Sequence, residues 1–338
     1  MSVCRAPRLH LGAMRGIVVD NPGRDHRLVM AEVRAPRPGP GQVLVRVAAA
    51  GVNRADLLQA RGAYPAPAGA SPLLGLECSG IVAELGRGVT SWQVGDPVAA
   101  LLQGGAYAEY AVADAACLLP VASALTLRDA GAAPESAATV WSNLTEVGYV
   151  AGAPLLVHGG AGGIGTMAIT LGSALQSPVF ATAGTAERVQ ACEQLGASRG
   201  INHKTEDFVQ VVLDGTDGRG VDVILDVVGA AYVERNLAAL AEGGTLAIIG
   251  LIGGAQAELD LGQMLRRRHR LMASNLRNRS SEDRAAIVHR VRHDIWELVC
   301  SGRASPVIGA RFPMARAEAA HAAMLSGSVI GKILLTWD

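Results

Sequence analysis

Aromatic side chains are scarce. Phenylalanine, tyrosine and tryptophan together make up 4% of a 338-residue chain, while glycine occurs 41 times. That combination suits an α/β enzyme with many tight turns better than a β-sandwich. Lysine is nearly missing: only Lys204 and Lys332 occur, so almost all positive charge is arginine. An excess of charge of either sign is also absent, with 30 Lys+Arg against 30 Asp+Glu. A general nucleic-acid binder needs a positive surface excess, so none is expected among the partners. Apolar stretches are broken by glycine or charge well short of the roughly 20 residues a membrane span requires, so no membrane partner is expected. Five cysteines (Cys4, Cys78, Cys117, Cys192, Cys300) include no close pair, against both a disulfide framework and a Cys-based zinc site. The expectation is a soluble protein of a reducing, cytoplasmic compartment. The first residues carry Arg5 and Arg8 but no apolar core, so residues 1–13 are read as an extension and not as a secretory signal.

What is present falls into two rhythms. From Met14 to about Pro120 the chain reads as short, glycine-punctuated strands, among them Val43–Ala48, Gly80–Leu85 and Ala106–Val112. From about Ala130 strands alternate with helices. Leu155–His158, Pro178–Ala183, Arg199–Asn202, Asp222–Val227, Thr245–Ile249 and Leu271–Ser274 are read as six strands of a doubly wound parallel sheet. The tail from Pro306 returns to short strands around a helix, Ala315–Leu325, and is expected to complete the first domain.

One motif carries chemistry. Gly160-Ala161-Gly162-Gly163-Ile164-Gly165 reads G-x-G-x-x-G between an apolar strand and a helix, the context in which it binds a dinucleotide. The first glycine is expected to supply the tight turn, the second backbone access to a pyrophosphate, and the third close helix–strand packing, with the pyrophosphate on the positive helix N-terminus. An NAD site places an acidic residue about 20 residues further on. Here Thr185 stands there, with Arg188 three residues later. Both suit a 2′-phosphate, so NADPH is the expected cofactor, and Glu187 is read as solvent-facing. The basic run Arg266–Arg270 is read as a solvated helix end, His158 as a strand-end histidine and Asp226 as structural.

In combination and order, Gly51-Val-Asn53-Arg-Ala-Asp56, Arg61-Gly-Ala-Tyr64-Pro65, Gly75-Leu-Glu77-Cys-Ser-Gly80, Val94-Gly-Asp96-Pro-Val98 and the glycine loop resemble the medium-chain dehydrogenase/reductases. More narrowly they resemble the zeta-crystallin-like, zinc-independent quinone oxidoreductases, close to the damage-inducible NADPH:quinone oxidoreductase branch. The resemblance implies a Rossmann domain (137–307) inserted in a mostly β, GroES-like catalytic domain (14–136 and 308–338). It implies a homodimer with the active site between the domains. It also implies catalytic roles for Asn53 and Tyr64, and cofactor contacts by Thr139, His203, the segment Gly250-Leu251-Ile252 and the segment Asn275-Leu276-Arg277. Zinc-dependent relatives carry a Cys where this chain has Asn53 and a His-Glu pair where it has Leu76-Glu77, so no metal is expected. The implied reaction is hydride transfer from NADPH to a small quinone. The alternatives are an enoyl or enone acceptor, or a non-catalytic NADPH-binding protein with a structural or RNA-binding role.

Overall fold

The computed structural model describes residues 12–122 and 124–337; most of the expected N-terminal extension, with Cys4, lies outside the described residues. The chain opens with an antiparallel hairpin, β1 (Ala13–Asp20) and β2 (Arg27–Arg34). Then follow β3 (Gln42–Val52), helix α1 (Arg54–Ala60), β4 (Glu77–Leu85), β5 (Pro97–Leu101), β6 (Tyr110–Asp114), β7 (Leu118–Pro120) and helix α2 (Pro134–Glu146). Helix α1 interrupts what reads in sequence as continuous β-structure. It is about two turns long and starts from a capping box of Asn53 and Asp56, whose carboxylate accepts the Asn53 N–H at 2.8 Å. The stretch expected as a strand from Ala106 is extended only from Tyr110. Residues 106–108 run instead as a buried crossing segment, whose Tyr107 carbonyl accepts the Ile17 N–H.

The second half alternates strictly: β8 (Leu155–Val157), α3 (Gly163–Ala174), β9 (Val179–Ala183), α4 (Ala186–Gln194), β10 (Arg199–Asn202), α5 (Phe208–Asp214), β11 (Val221–Asp226), α6 (Val233–Ala239), β12 (Leu240–Ile248), α7 (Leu261–Arg267) and β13 (Arg270–Ala273). These six strands form one parallel sheet in the order β10-β9-β8-β11-β12-β13. Its order reverses at β8, so the two crossovers diverge beside the glycine loop, where open α/β sheets bind their ligands. All five residues of β9 are buried, as expected for a strand covered on both faces. β12 starts five residues earlier than Thr245, directly from α6, and carries a register shift against β11 between Val221 and Val223.

Helices α8 (Ser281–Asp294) and α9 (Trp296–Cys300) lead back to β14 (Ile308–Pro313), α10 (Ala317–Ser326) and β15 (Lys332–Thr336). β15 pairs with β3, so the C-terminal strand enters the first half's seven-stranded sheet, ordered β14-β15-β3-β4-β5-β7 with β6 on β3. The chain therefore has the α/β fold read from its sequence: a Rossmann parallel sheet set within a GroES-like, mostly β domain. The halves share a core, since Ala99, Leu101 and Leu119 pack in one cluster with Leu155, Ile169 and Val288. Each fully buried leucine of that cluster contributes about 1.5–3 kcal/mol. Among the described residues no helix is long and apolar enough to cross a membrane.

Candidate active site

The glycine loop links β8 to α3, whose N-cap is Gly162. Its glycines have different reasons to be there. The left-handed turn is made by Gly159 (φ +70°), one residue before the expected Gly160. A Cβ on Gly160 would lie 2.9 Å from both Ala181 Cβ and Cys192 Sγ, and one on Gly165 would lie 2.3 Å from the Gly159 carbonyl oxygen. On Gly163 it would meet the Lys332 side chain at 2.3 Å. Only Gly162 has room: a Cβ there would meet nothing closer than the Gly159 oxygen at 3.4 Å. No protein contact requires glycine at 162, and its backbone presents an open face at the start of α3. Ile164, in the first turn of α3, packs its half-buried side chain on the core. Free N–H groups of that turn, together with this open face, fit a bound pyrophosphate.

Beneath the loop runs a buried hydrogen-bond chain whose direction can be assigned. The Asp226 carboxylate accepts from Asn236 Nδ2 (3.2 Å), so Asn236 Oδ1 faces His158 Nε2 (2.7 Å), which must donate. His158 Nδ1 then accepts from the Thr182 hydroxyl (3.0 Å), whose oxygen takes the Gly159 N–H (3.3 Å). Burial drives His158 down to about 4, which keeps the neutral tautomer this chain needs.

At the end of β9, Thr185 caps α4 by accepting the Arg188 N–H, and Glu187 is exposed as expected. The Arg188 guanidinium lies beside Gly327, at the end of α10. His203 and Lys204 close the other side: His203 Nε2 and Lys204 Nζ come within 3.2 and 3.9 Å of the point a Cβ on Gly184 would occupy. His203 also stands edge-on to Tyr232, 6.5 Å between ring centres. Lys204, which in sequence is simply the residue following His203, is thus a cation at the same turn as Thr185.

The junction of the two halves is organised around Glu77. Its carboxylate is buried; one oxygen accepts from Lys332 Nζ (2.5 Å) and Asn53 Nδ2 (2.9 Å), and the other accepts the Glu135 N–H at the start of α2 (2.9 Å). Asn53 Oδ1 completes the triangle by accepting from Lys332 Nζ at 2.6 Å. Gly51 makes room, because a Cβ there would lie 2.2 Å from a Glu77 oxygen. Lys332 reaches this place because Gly331 and Gly162 bridge between the halves. Asp56, fully buried beneath Asn53, accepts the Gly75 N–H (2.9 Å) and is pushed up to about 6 by burial. These residues do not fit a zinc ion. The Lys332 ammonium, donating to both Glu77 and Asn53, occupies the position of a cation at this carboxylate, and an amide stands where a metal site needs a thiolate or imidazole. Among the described residues no group of three or more His, Cys, Asp or Glu has metal-holding spacing.

Tyr64 is half-buried at this junction, its phenol raised by burial first and then by the Glu135 charge. Arg277 reaches it from the segment after β13. That guanidinium is 3% exposed and donates to the Tyr64 carbonyl (3.2 Å), to Gln59 Oε1 (2.6 Å) and to the Gln103 carbonyl (2.9 and 2.8 Å). It also lies 5.4 Å from the Tyr64 ring centre. Of the segment expected at the cofactor, Arg277 therefore directs its donors to the catalytic half; Leu276 is buried, and Asn275 Oδ1 accepts the Asn278 N–H. Thr139 is buried on α2, one turn beyond Glu135. Gly250, Leu251 and Ile252 follow β12, with Leu251 and Ile252 more than half exposed. Glu135 and Lys332 are brought to the site by the fold and carry no functional signature in the sequence, whereas Glu77 lies in the Gly75–Gly80 motif. The pairing of Glu77 with Lys332 spans 255 residues and has no local signal.

Two family models match the chain: an alcohol dehydrogenase GroES-like domain over residues 39–123 and a zinc-binding dehydrogenase over residues 163–291. The chain is 31% identical over 333 residues to a phenolphthiocerol/phthiocerol polyketide synthase polypeptide of Mycobacterium tuberculosis. That match takes in 96% of this chain but only 15% of the polyketide synthase. Among solved structures, the Escherichia coli quinone oxidoreductase complexed with NADPH aligns with a TM-score of 0.84 at 27% identity, covering 96% of this chain and 100% of the other. A mycobacterial quinone oxidoreductase aligns with a TM-score of 0.82 at 28% identity, covering 96% and 99%.

Proposed function

We propose that this chain, which belongs to the medium-chain dehydrogenase/reductase superfamily, is an NADPH-dependent reductase that works on small quinones without zinc. The observation that carries this reading is the Glu77–Lys332–Asn53 triangle. An internal ammonium holds the place where a metal-dependent dehydrogenase needs ligands, which disfavours a metal Lewis acid there to polarise an alcohol. The acceptor must already be electrophilic, as a quinone is. The reading assigns the chain to the zeta-crystallin-like branch and to a cytoplasmic compartment. It also makes the protein a homodimer, supported by the edge strand β13 with its exposed Leu271 and by exposed Leu261 and Leu265 on the preceding α7.

In this reading the α3 N-terminus and the bare Gly162 hold the pyrophosphate. Thr185, His203 and Lys204 hold the 2′-phosphate, with Arg188 in reach from α4, and Thr139 with Gly250-Leu251-Ile252 flanks the nicotinamide. Bound NADPH supplies a hydride. The chain's own work is positioning. Asn53 is held by Glu77 and Lys332, and Tyr64 by Arg277, so that the tyrosine hydroxyl donates to the acceptor oxygen as charge develops there.

A second acceptor class, an enoyl or enone compound, is favoured by the match to a polyketide synthase, because polyketide assembly is acyl-chain chemistry. Both readings are separated by NADPH oxidation with a small ortho-quinone, run beside NADH and beside a crotonyl thioester. Quinone-dependent oxidation with NADPH preferred supports the leading reading. Turnover of the thioester alone moves the function to enoyl reduction, and turnover of neither, with NADPH still raising thermal stability, marks a binding protein.

A further inference from the structure

Reduction of a quinone consumes a hydride and a proton, and the proton needs a source. Glu135 lies at the junction of the two halves, beside the Glu77–Lys332–Asn53 triangle. It is the second residue of α2, and its backbone N–H is fixed on Glu77. Its side chain lies on the same helix face as Thr139, four residues on. Glu135 is half-buried and its carboxyl has no hydrogen-bond partner among the described residues, whereas Glu77 and Asp56 beside it are fully buried and engaged. Resting on the reductase reading above, we infer that Glu135 is the acid that delivers a proton to the acceptor oxygen.

A hydride adds two electrons and one hydrogen to the quinone, giving a hydroquinone anion. The anion's oxygen takes the proton of the Glu135 carboxyl, an O–H bond breaking there as one forms on the product. The glutamate left as carboxylate regains its proton from water at its exposed edge.

The surroundings favour the protonated form. Burial comes first, then the Glu77 carboxylate, which already occupies the positive end of α2; together they push Glu135 up to about 8. The charged groups whose fields act on it are Glu77 from β4, Lys332 from β15, Asp56 from α1 and Arg277 from the segment after β13, and its own charge acts on Tyr64. Lys332 and Arg277 act in the opposite direction, and their charges are already engaged by Glu77 and by backbone oxygens.

The test is the pH profile of quinone reduction by wild type, Glu135→Gln and Glu135→Asp. Wild-type kcat should fall as pH rises and the carboxyl ionises. Glu135→Gln should lose about 100-fold in kcat and lose that alkaline limb, with NADPH affinity unchanged, while Glu135→Asp keeps the limb at reduced rate. Wild-type kcat with an unchanged limb in Glu135→Gln overturns the assignment. A second readout needs no turnover: carbon NMR of the cofactor-free protein labelled at glutamate carboxyls. One carboxyl should titrate well above pH 6 and vanish in Glu135→Gln; if every glutamate titrates below pH 6, the assignment fails. Should wild type reduce no quinone while that NMR signal is present, the reductase reading fails and the placement of the acid stands.

Discussion

Lys332 and Glu77 form an ion pair closed to water, Nζ to Oε1 at 2.5 Å, with side chains 4% and 0% exposed. It fastens the last strand of the chain to β4. It also lays the lysine stem over Gly163 at the start of the glycine loop, so the pair belongs to both halves of the molecule. Removing one partner leaves the other charge buried and unpaired. Lys332→Met should therefore cost about 3–5 kcal/mol in urea unfolding, and Lys332→Met combined with Glu77→Gln should cost less than the single change. Additive losses would mean that the two side chains are not coupled.

The glycines of the loop should separate by function. Gly165→Ala drives a methyl into the Gly159 backbone and should lower the melting temperature sharply. Gly162→Ala meets only an ordinary contact, so the protein should fold with near-normal stability yet bind NADPH at least tenfold more weakly in a fluorescence titration. Unchanged NADPH affinity in Gly162→Ala would remove the pyrophosphate from this face.

Cofactor preference should reside at the end of β9. Thr185→Asp with Arg188→Ala, and separately Lys204→Ala, should each weaken NADPH more than NADH, by roughly tenfold for a lost charge-assisted contact. Equal losses for both cofactors would refute the 2′-phosphate assignment.

Acid should destabilise the fold through its buried histidines. His158 and His321 are both lowered to about 4 by burial, from an ordinary 6.5. Below 6.5 the unfolded chain binds protons that the folded chain refuses, so stability is lost as pH falls from 6.5 toward 4. Each histidine contributes on the order of 2 kcal/mol to that loss by pH 5, and on the order of 3 kcal/mol once the pH is below 4. Denaturant unfolding at pH 7.5 and pH 5 measures it, and His158→Gln should flatten the dependence.

Local pattern carries much of the fold. All six parallel strands are legible because each is a short apolar run bounded by turn residues, and the glycine loop because its motif sits between strand and helix. Helix α1 is not, since seven residues wound by Asn53 and Asp56 show no period that separates them from the strands around them. Gly159 escapes a motif reading as the turn residue because the motif begins at Gly160, whose glycine is demanded by packing against Ala181 and Cys192. At the site, Asn53 and Tyr64 can be named from resemblance, but their holders cannot. Lys332 lies 279 residues from Asn53, and Arg277 lies 213 from Tyr64; only the fold brings them together. Glu135 is hidden in the same way, as an ordinary acidic residue in a helix's first turn.

Completion of this site by the Lys332 ammonium, and not by a metal ion, is the proposal on which the reductase chemistry rests. Its most direct test is quinone-dependent NADPH oxidation by protein stripped with EDTA and assayed for zinc. Full turnover with no bound zinc, and no gain when zinc is restored, is the expected result. Activity that vanishes on stripping and returns with zinc would contradict it.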